Sequence, residues 1–136
     1  MRISNKVTYA CLALIDIAQS EAEGFPRRMR EIAHAQGIPC KYLPKILLHL
    51  KAAGLVQSAR GSGGGYQLAL SPANISLSQV VGAIDGHVSR IERGNSSAAR
   101  NLSEALSQIQ SVYQGQLSAV TIAELARQAS PQDWVI

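Results

Sequence analysis

The chain has 136 residues, a formal net charge of +4 and 46% apolar residues, with aromatics only 4% of the total. That length favours one domain, and a core made of Leu, Ile, Val and Ala points to a mainly helical protein. No apolar run approaches the ~18 residues of a membrane span. The start, Met1-Arg-Ile-Ser-Asn-Lys6, leads straight into an amphipathic pattern without a signal-peptide cleavage site, so a soluble cytoplasmic protein with no membrane partner is expected.

The charge is unevenly spread. Residues 1–70 hold nine Lys/Arg against four Asp/Glu, and residues 71–136 hold four against five. A basic half joined to a near-neutral half suggests that one end meets a polyanion; a merely solvated basic surface is the alternative. The two cysteines, Cys11 and Cys40, form no CxxC or Cys/His cluster, and His34, His49 and His87 lack a ligand-spaced partner. Neither a structural disulfide nor a zinc site is expected.

In chain order, Val7, Cys11, Leu14, Ile15 and Ala18 recur at helical spacing, so a first helix runs from about Asn5 to Glu21. Gly24-Phe-Pro26 breaks it. A short second helix spans Arg28 to Gln36, with Ile32 and Ala33 inward and Gly37 as its stop. Ile38-Pro39 is a turn. A third helix runs from about Cys40 to Ala53, burying Leu43, Ile46, Leu47 and Leu50, and Gly54 ends it. Leu55–Ser58 and Tyr66–Ala69 have strand composition around a glycine-dense loop. Helix, glycine turn, helix and hairpin make a winged helix-turn-helix.

Ser76-x-x-Gln79 and Thr121-x-x-Glu124 fit capping boxes. They open a fourth helix at about Leu77–Asp85 and a short last helix at about Ile122–Gln128, which Ser130-Pro131 ends. His87 to Ser97 reads as a polar, mobile loop. A long helix follows, from about Ala98 to Gln114. Its Leu102, Leu106, Ile109 and Tyr113 fall at steps of four, three and four, a seam of heptad type. The seam serves either the core or a dimer. A symmetric dimer is favoured, because a winged module of about 85 residues has no need of a long extra helix. The organisation expected is a DNA-binding region over 1–86, a loop over 87–97 and a dimerisation helix with the C-terminal helix over 98–136.

Arg60-Gly-Ser-Gly-Gly-Gly-Tyr66 is the most specific stretch. Glycine lets backbone approach a phosphate without a Cβ in the way, and Arg60 can contact a phosphate or enter a minor groove. A nucleotide-binding loop needs Gly-Lys-Ser/Thr or a following helix, and neither is present. Arg60, Gly61, Ser62, Gly63 and Gly64 are therefore assigned to the tip of a DNA wing. In the third helix Lys41, Tyr42, Lys45 and His49 lie off the apolar face. The lysines suit phosphates and Tyr42 suits a base edge or phosphate. Arg27, Arg28 and Arg30 beside the second helix, and Arg2 and Lys6 at the N-terminus, are candidate backbone contacts. For each of these a solvated face is the bland alternative.

Tyr9-Ala10, Leu14-x-Asp16-x-Ala18, Glu31-Ile32-Ala33, Gln36-Gly37-Ile38, Tyr42-Leu43, Leu50-x-x-x-Gly54-Leu55-Val56 and Arg60-Gly61-x-Gly63-Gly64-Gly65-Tyr66 together resemble the Rrf-two family of bacterial winged-helix regulators. Its members include an iron–sulfur cluster assembly regulator, a nitric-oxide-sensing repressor and a cysteine-metabolism repressor. The match is dense over residues 2–86 and looser beyond, through Thr121-Ile-Ala-Glu-Leu125. The resemblance implies a homodimeric transcription regulator, usually a repressor, on a partly palindromic operator in double-stranded DNA, and not an enzyme.

The departures from the family pattern matter as much. Cluster-binding members carry three cysteines before the long helix. Here Arg90 to Asn101 has none, with Asn101 near the third cysteine position and Glu104 where some members supply a histidine. Thiolates are the normal iron–sulfur ligands, so no cluster, no other metal and no cofactor is expected. Arg28 and Pro39 stand where relatives have Ser or Thr N-caps, and Pro44 stands where an acidic residue is common. Pro44 should start the regular helix late or kink it. Some relatives sense oxidants through cysteines in the regions of Cys11 and Cys40, which makes these two candidate redox thiols. The competing reading is that they are small buried hydrophobes. A small-molecule or protein effector stays open, as does use of the winged helix as a protein-interaction adaptor.

Overall fold

A computed structural model describes residues 3–61, 63–86 and 94–128. The order is α1 (Asn5–Ala22), α2 (Met29–Gln36), α3 (Leu43–Ala52), β1 (Val56–Ala59), β2 (Gly65–Leu68), a 3-10 turn at Pro72–Asn74, α4 (Leu77–Asp85), α5 (Ser97–Ala119) and α6 (Ile122–Gln128). This is a mainly helical winged helix-turn-helix with a two-stranded antiparallel hairpin. No helix among the described residues is long and apolar enough to cross a membrane.

The core forms around α1, which packs on α2, α3, α4, α6 and β2. Its buried face is wider than the sequence pattern implied. Ala10, Ala13 and Ile17 are buried beside Val7, Leu14 and Ala18, while Cys11 and Ile15 are half-buried at its edge. Ile32 and Ala33 of α2 and Leu43, Ile46, Leu47 and Leu50 of α3 complete one side. Ile75, Val80 and Ile122 complete the other. Removing this aliphatic surface from water at roughly 25 cal/mol per Å² is the main force holding the helices together.

Local signals set the boundaries. The Ser4 side chain accepts from the Val7 N–H, opening α1. Gly37 ends α2 in the left-handed conformation, φ 64°. The third helix departs from expectation. Cys40, Lys41 and Tyr42 form a turn, with the Tyr42 N–H donating to the Pro39 carbonyl at 3.1 Å. Tyr42, not Pro39, is the N-cap, and Pro44 is the second helical residue. A proline there lacks a donor that would go unpaired anyway, so the helix starts late and unkinked. At α4, Ser76 and Gln79 make both bonds of the capping box. At α6, Thr121 Oγ1 accepts from the Glu124 N–H at 3.3 Å.

Two backbone ties close the molecule. Leu77 N–H donates to Val120 and Ile122 N–H to Ile75, holding α6 against the start of α4. Arg27 exchanges both backbone hydrogen bonds with Tyr66, extending the edge of β2. Helix α5 is longer than expected and begins at Ser97, capped by Ser96. Only Ser103 and Leu117 of its side chains are buried. The expected loop over 87–97 falls largely outside the described residues, as do the α6 stop at Ser130-Pro131 and site candidates Arg2 and Ser62.

Candidate nucleic-acid interface

Exposed lysines gather on α3 and on the turn before it. On α3 the buried residues leave Pro44, Lys45, Leu48, Lys51 and Ala52 facing solvent, with Lys41 exposed on the turn before them. His49 is half-buried. Two lysines on one helix face and a third on the turn before it, with no acidic residue in α3, make a surface fit for phosphates. Lys51 Nζ donates to Ser58 Oγ on β1 at 2.9 Å, bridging the helix to the wing.

The hairpin lies alongside. Val56 pairs with Leu68, Gln57 with Gln67, Ser58 with Tyr66 and Ala59 with Gly65. Arg60, Gly61 and Gly63 are exposed at its end. Gly64 is different. It is buried, its N–H donates to Gly61 at 2.9 Å, and a Cβ there would lie 2.6 Å from the Ala59 carbonyl oxygen. It closes the turn from within and is not on the contact surface of the tip.

Tyr42 is exposed but its ring is packed. Its ring stacks on Tyr9 of α1, with centroids 6.0 Å apart and planes at 19°, and Lys41 Nζ sits 5.0 Å from its centroid. Stacking and cation–π attraction fix the turn against α1, so the aromatic body positions the turn while an edge stays exposed. Lys6, Tyr9, Tyr42 and Asp85 line a polar cleft of about 400 Å³ here, where Ser4 Oγ donates to Asp85 at 3.0 Å.

Arg27 is not a free phosphate contact. Its Nε and Nη2 reach both oxygens of buried Asp16 at 2.7 and 3.2 Å, and its Nη1 reaches Glu31 at 3.3 Å. Gln36 Nε2 also donates to Asp16, at 3.0 Å. The Asp16 hydrogen bond, ahead of the nearby carboxylate charges, raises the Arg27 pKa above its ordinary value. Arg28 and Arg30 are exposed. The Arg28 side chain has no acceptor to offer a helix N-terminus; instead its backbone N–H donates to Glu31 Oε1 at 3.0 Å. Leu48, Lys51 and Glu21, whose carboxylate takes the Leu68 N–H at 2.7 Å, are contributors that spacing alone did not single out. The lysine was visible as a charge; the other two depend on the fold.

The two thiols have unlike settings. Cys40 is exposed on the turn, three residues before α3 begins, so it is not at the helix N-terminus. Cys11 lines an apolar cavity of about 240 Å³ with Val7, Leu12, Leu77 and Leu117, and burial pushes its thiol up to about 11. On α5, Leu102, Leu106, Ile109 and Val112 form an exposed apolar stripe. Tyr113 is half-buried, one position off the outermost line.

Comparison with known proteins agrees with this architecture. The Rrf2 family, described as "Iron-dependent Transcriptional regulator", matches residues 3–128. The chain belongs to the Rrf2 family. The HTH-type transcriptional regulator IscR of Aliivibrio salmonicida is 41% identical over 88 residues, 65% of this chain and 52% of that protein. The chain therefore aligns with only about half the length of that relative. IscR of Photobacterium profundum is 33% identical over 138 residues, 98% of this chain and 80% of that protein. Among solved structures, T. potens IscR superposes with a TM-score of 0.80 at 27% identity, covering 96% of this chain and 89% of that one. CymR, the global cysteine regulator of B. subtilis, gives 0.73 at 25% identity, covering 96% and 99%.

The Rrf2 description names iron, and the donor set of this chain does not fit a thiolate-held cluster. Residues 87–101 contain no cysteine. Cys11 is half-buried on α1 and Cys40 lies on the turn before α3. Among the described residues no three His, Cys, Asp or Glu side chains come together as metal ligands. Glu104 instead lines an open polar cleft of about 580 Å³ with Asn95, Arg100, Ser103 and Ser107, and Asn101 is exposed.

Proposed function

We propose that this Rrf2 protein is a sequence-specific DNA-binding transcription regulator. It acts in the cytoplasm as a homodimer, represses from a partly palindromic operator, and works without an iron–sulfur cluster. One observation carries the reading: Lys41, Lys45 and Lys51 present one basic face beside a hairpin whose tip holds exposed Arg60. In this account α3 enters the major groove and its lysines neutralise phosphates, while Arg60 reaches the adjacent minor groove or backbone. Lys6 and Arg28, exposed at the starts of α1 and α2, add backbone contacts. Pairing through the α5 stripe sets two reading helices about one DNA turn apart, which is why the operator should be partly palindromic. A protein-interaction adaptor would have no need of this basic face.

Selection of bound sequences from random duplex DNA tests the reading. A two-fold related motif is expected, and its absence would favour the adaptor. Protein purified without oxygen should show no absorbance band between about 300 and 500 nm, the region of iron–sulfur charge transfer; such a band would overturn the cluster-free assignment.

A further inference from the structure

Leu48 stands outside the core. It is 63% exposed, while Leu43, Ile46, Leu47 and Leu50 of the same helix are at most 2% exposed. It follows Lys45 by three residues, Pro44 by four, and precedes Lys51 by three, so all four share one helix face. A leucine ringed by lysines is a poor docking point for another protein's apolar surface, because binding there would strip water from the surrounding ammonium groups. Against DNA the same lysines find phosphates and need no such sacrifice.

The exposed face of α3 also offers few side chains that pair with base edges by two hydrogen bonds, only its lysines, which suit guanine. It has no Asn, Gln or Arg; the polar groups are lysines and half-buried His49. Lys51 is already held by Ser58 and Lys41 lies over Tyr42. The middle of the reading face, Pro44 and Leu48, is apolar. In the major groove one base carries an apolar marker, the C5-methyl group of thymine.

We infer that Leu48 is a specificity-determining residue that selects a thymine in each half-site by packing on its C5-methyl group. The inference rests on the DNA-binding reading above. Each methyl so covered changes affinity roughly fourfold, and two half-sites together about fifteenfold.

The test uses the full-length protein and the operator obtained by selection. Each thymine is replaced in turn by deoxyuridine, which keeps the hydrogen-bonding edge and removes only the methyl group. One symmetry-related thymine pair should weaken wild-type binding roughly fifteenfold when both are replaced. Leu48→Ala should bind the unmodified operator correspondingly more weakly and ignore that deoxyuridine pair, with an unchanged circular dichroism spectrum. At the same position 5-methylcytosine should bind wild-type better than cytosine. Wild-type affinity unaffected by every deoxyuridine, or Leu48→Ala retaining the full sensitivity, would overturn the assignment while leaving DNA binding intact. Absence of any selected duplex would overturn the DNA-binding reading itself, and this inference with it.

Discussion

Arg27 joins three elements at one point. Its side chain grips Asp16 of α1 and Glu31 of α2, and its backbone pairs with Tyr66 of the wing. Asp16 is 5% exposed, so removing the guanidinium leaves a buried carboxylate that still takes a hydrogen bond from Gln36 but has no cation against it. Breaking a buried pair costs about 3–5 kcal/mol, less where one partner is part-exposed as Arg27 is. Arg27→Ala should therefore destabilise the fold by about 2–3 kcal/mol in urea titration; a loss under about 0.5 kcal/mol would refute the joint. The sequence displays Arg27 as a charge next to Arg28 and Arg30 and says nothing of Asp16, eleven positions earlier, as its partner. The same blindness applies to Tyr42, whose stacking on Tyr9 depends on how α1 crosses the turn. The thiols separate by the same logic. Cys11 has its pKa raised from 9.0 to about 11 by burial, so it stays protonated at neutral pH. The raised folded-state value means that the Cys11 contribution to stability is intact below pH 9 and is lost as pH rises from about 9 towards 11. Native protein at about pH 8 should react with a maleimide at Cys40 and not at Cys11, as read by peptide mass mapping. Equal labelling would show that Cys11 is open to reagent.

At the scale of elements, glycine and proline decide most boundaries, while apolar spacing misjudges two helix ends. Pro44 sits at the second position of α3, so the turn Cys40–Tyr42 lies outside the helix that apolar spacing extended back to Cys40. The long helix was expected to end near Gln114, yet α5 runs on through Gly115 to Ala119. A mid-helix glycine costs roughly 0.5–1 kcal/mol relative to alanine, and burial of Leu117 two residues on outweighs that. Nothing lies within 4 Å of a Cβ built at Gly115. Gly115→Ala should therefore raise stability by about 0.5–1 kcal/mol, checked by thermal unfolding; a loss would mean the site is crowded in the dimer. Gly65 behaves oppositely. Its φ is 147°, and a Cβ there would lie 2.5 Å from the Arg27 carbonyl oxygen, across the bond that fixes the wing to the helices. Gly65→Ala should displace the hairpin and reduce operator affinity at least tenfold while helical content persists. Unchanged affinity would mean that wing placement is immaterial.

For the whole molecule, the order of helices and hairpin follows from patterns within the chain, because each turn and cap is written locally. Ser76-x-x-Gln79, Gly37 and the glycine-dense hairpin loop marked α4, the end of α2 and the wing nearly to the residue. How the parts face one another is not local. The wing is anchored through Glu21 and Arg27, and α6 is tied to the start of α4 through the bonds at Ile75 and Val120. The α5 seam was legible as apolar periodicity, and the stripe of Leu102, Leu106, Ile109 and Val112 stands exposed on the single chain. Ile109→Asp should convert the proposed dimer to monomer in sedimentation equilibrium; a persistent dimer would move the interface elsewhere. The central claim is that Lys45 and Arg60 meet DNA phosphates from two sides of one reading head. Operator affinity measured against salt concentration tests this most directly for wild type and for the double variant Lys45→Ala/Arg60→Ala. With about four fewer phosphates neutralised per dimer, the log–log slope should become shallower by about 3–4. An unchanged slope and affinity would contradict the account.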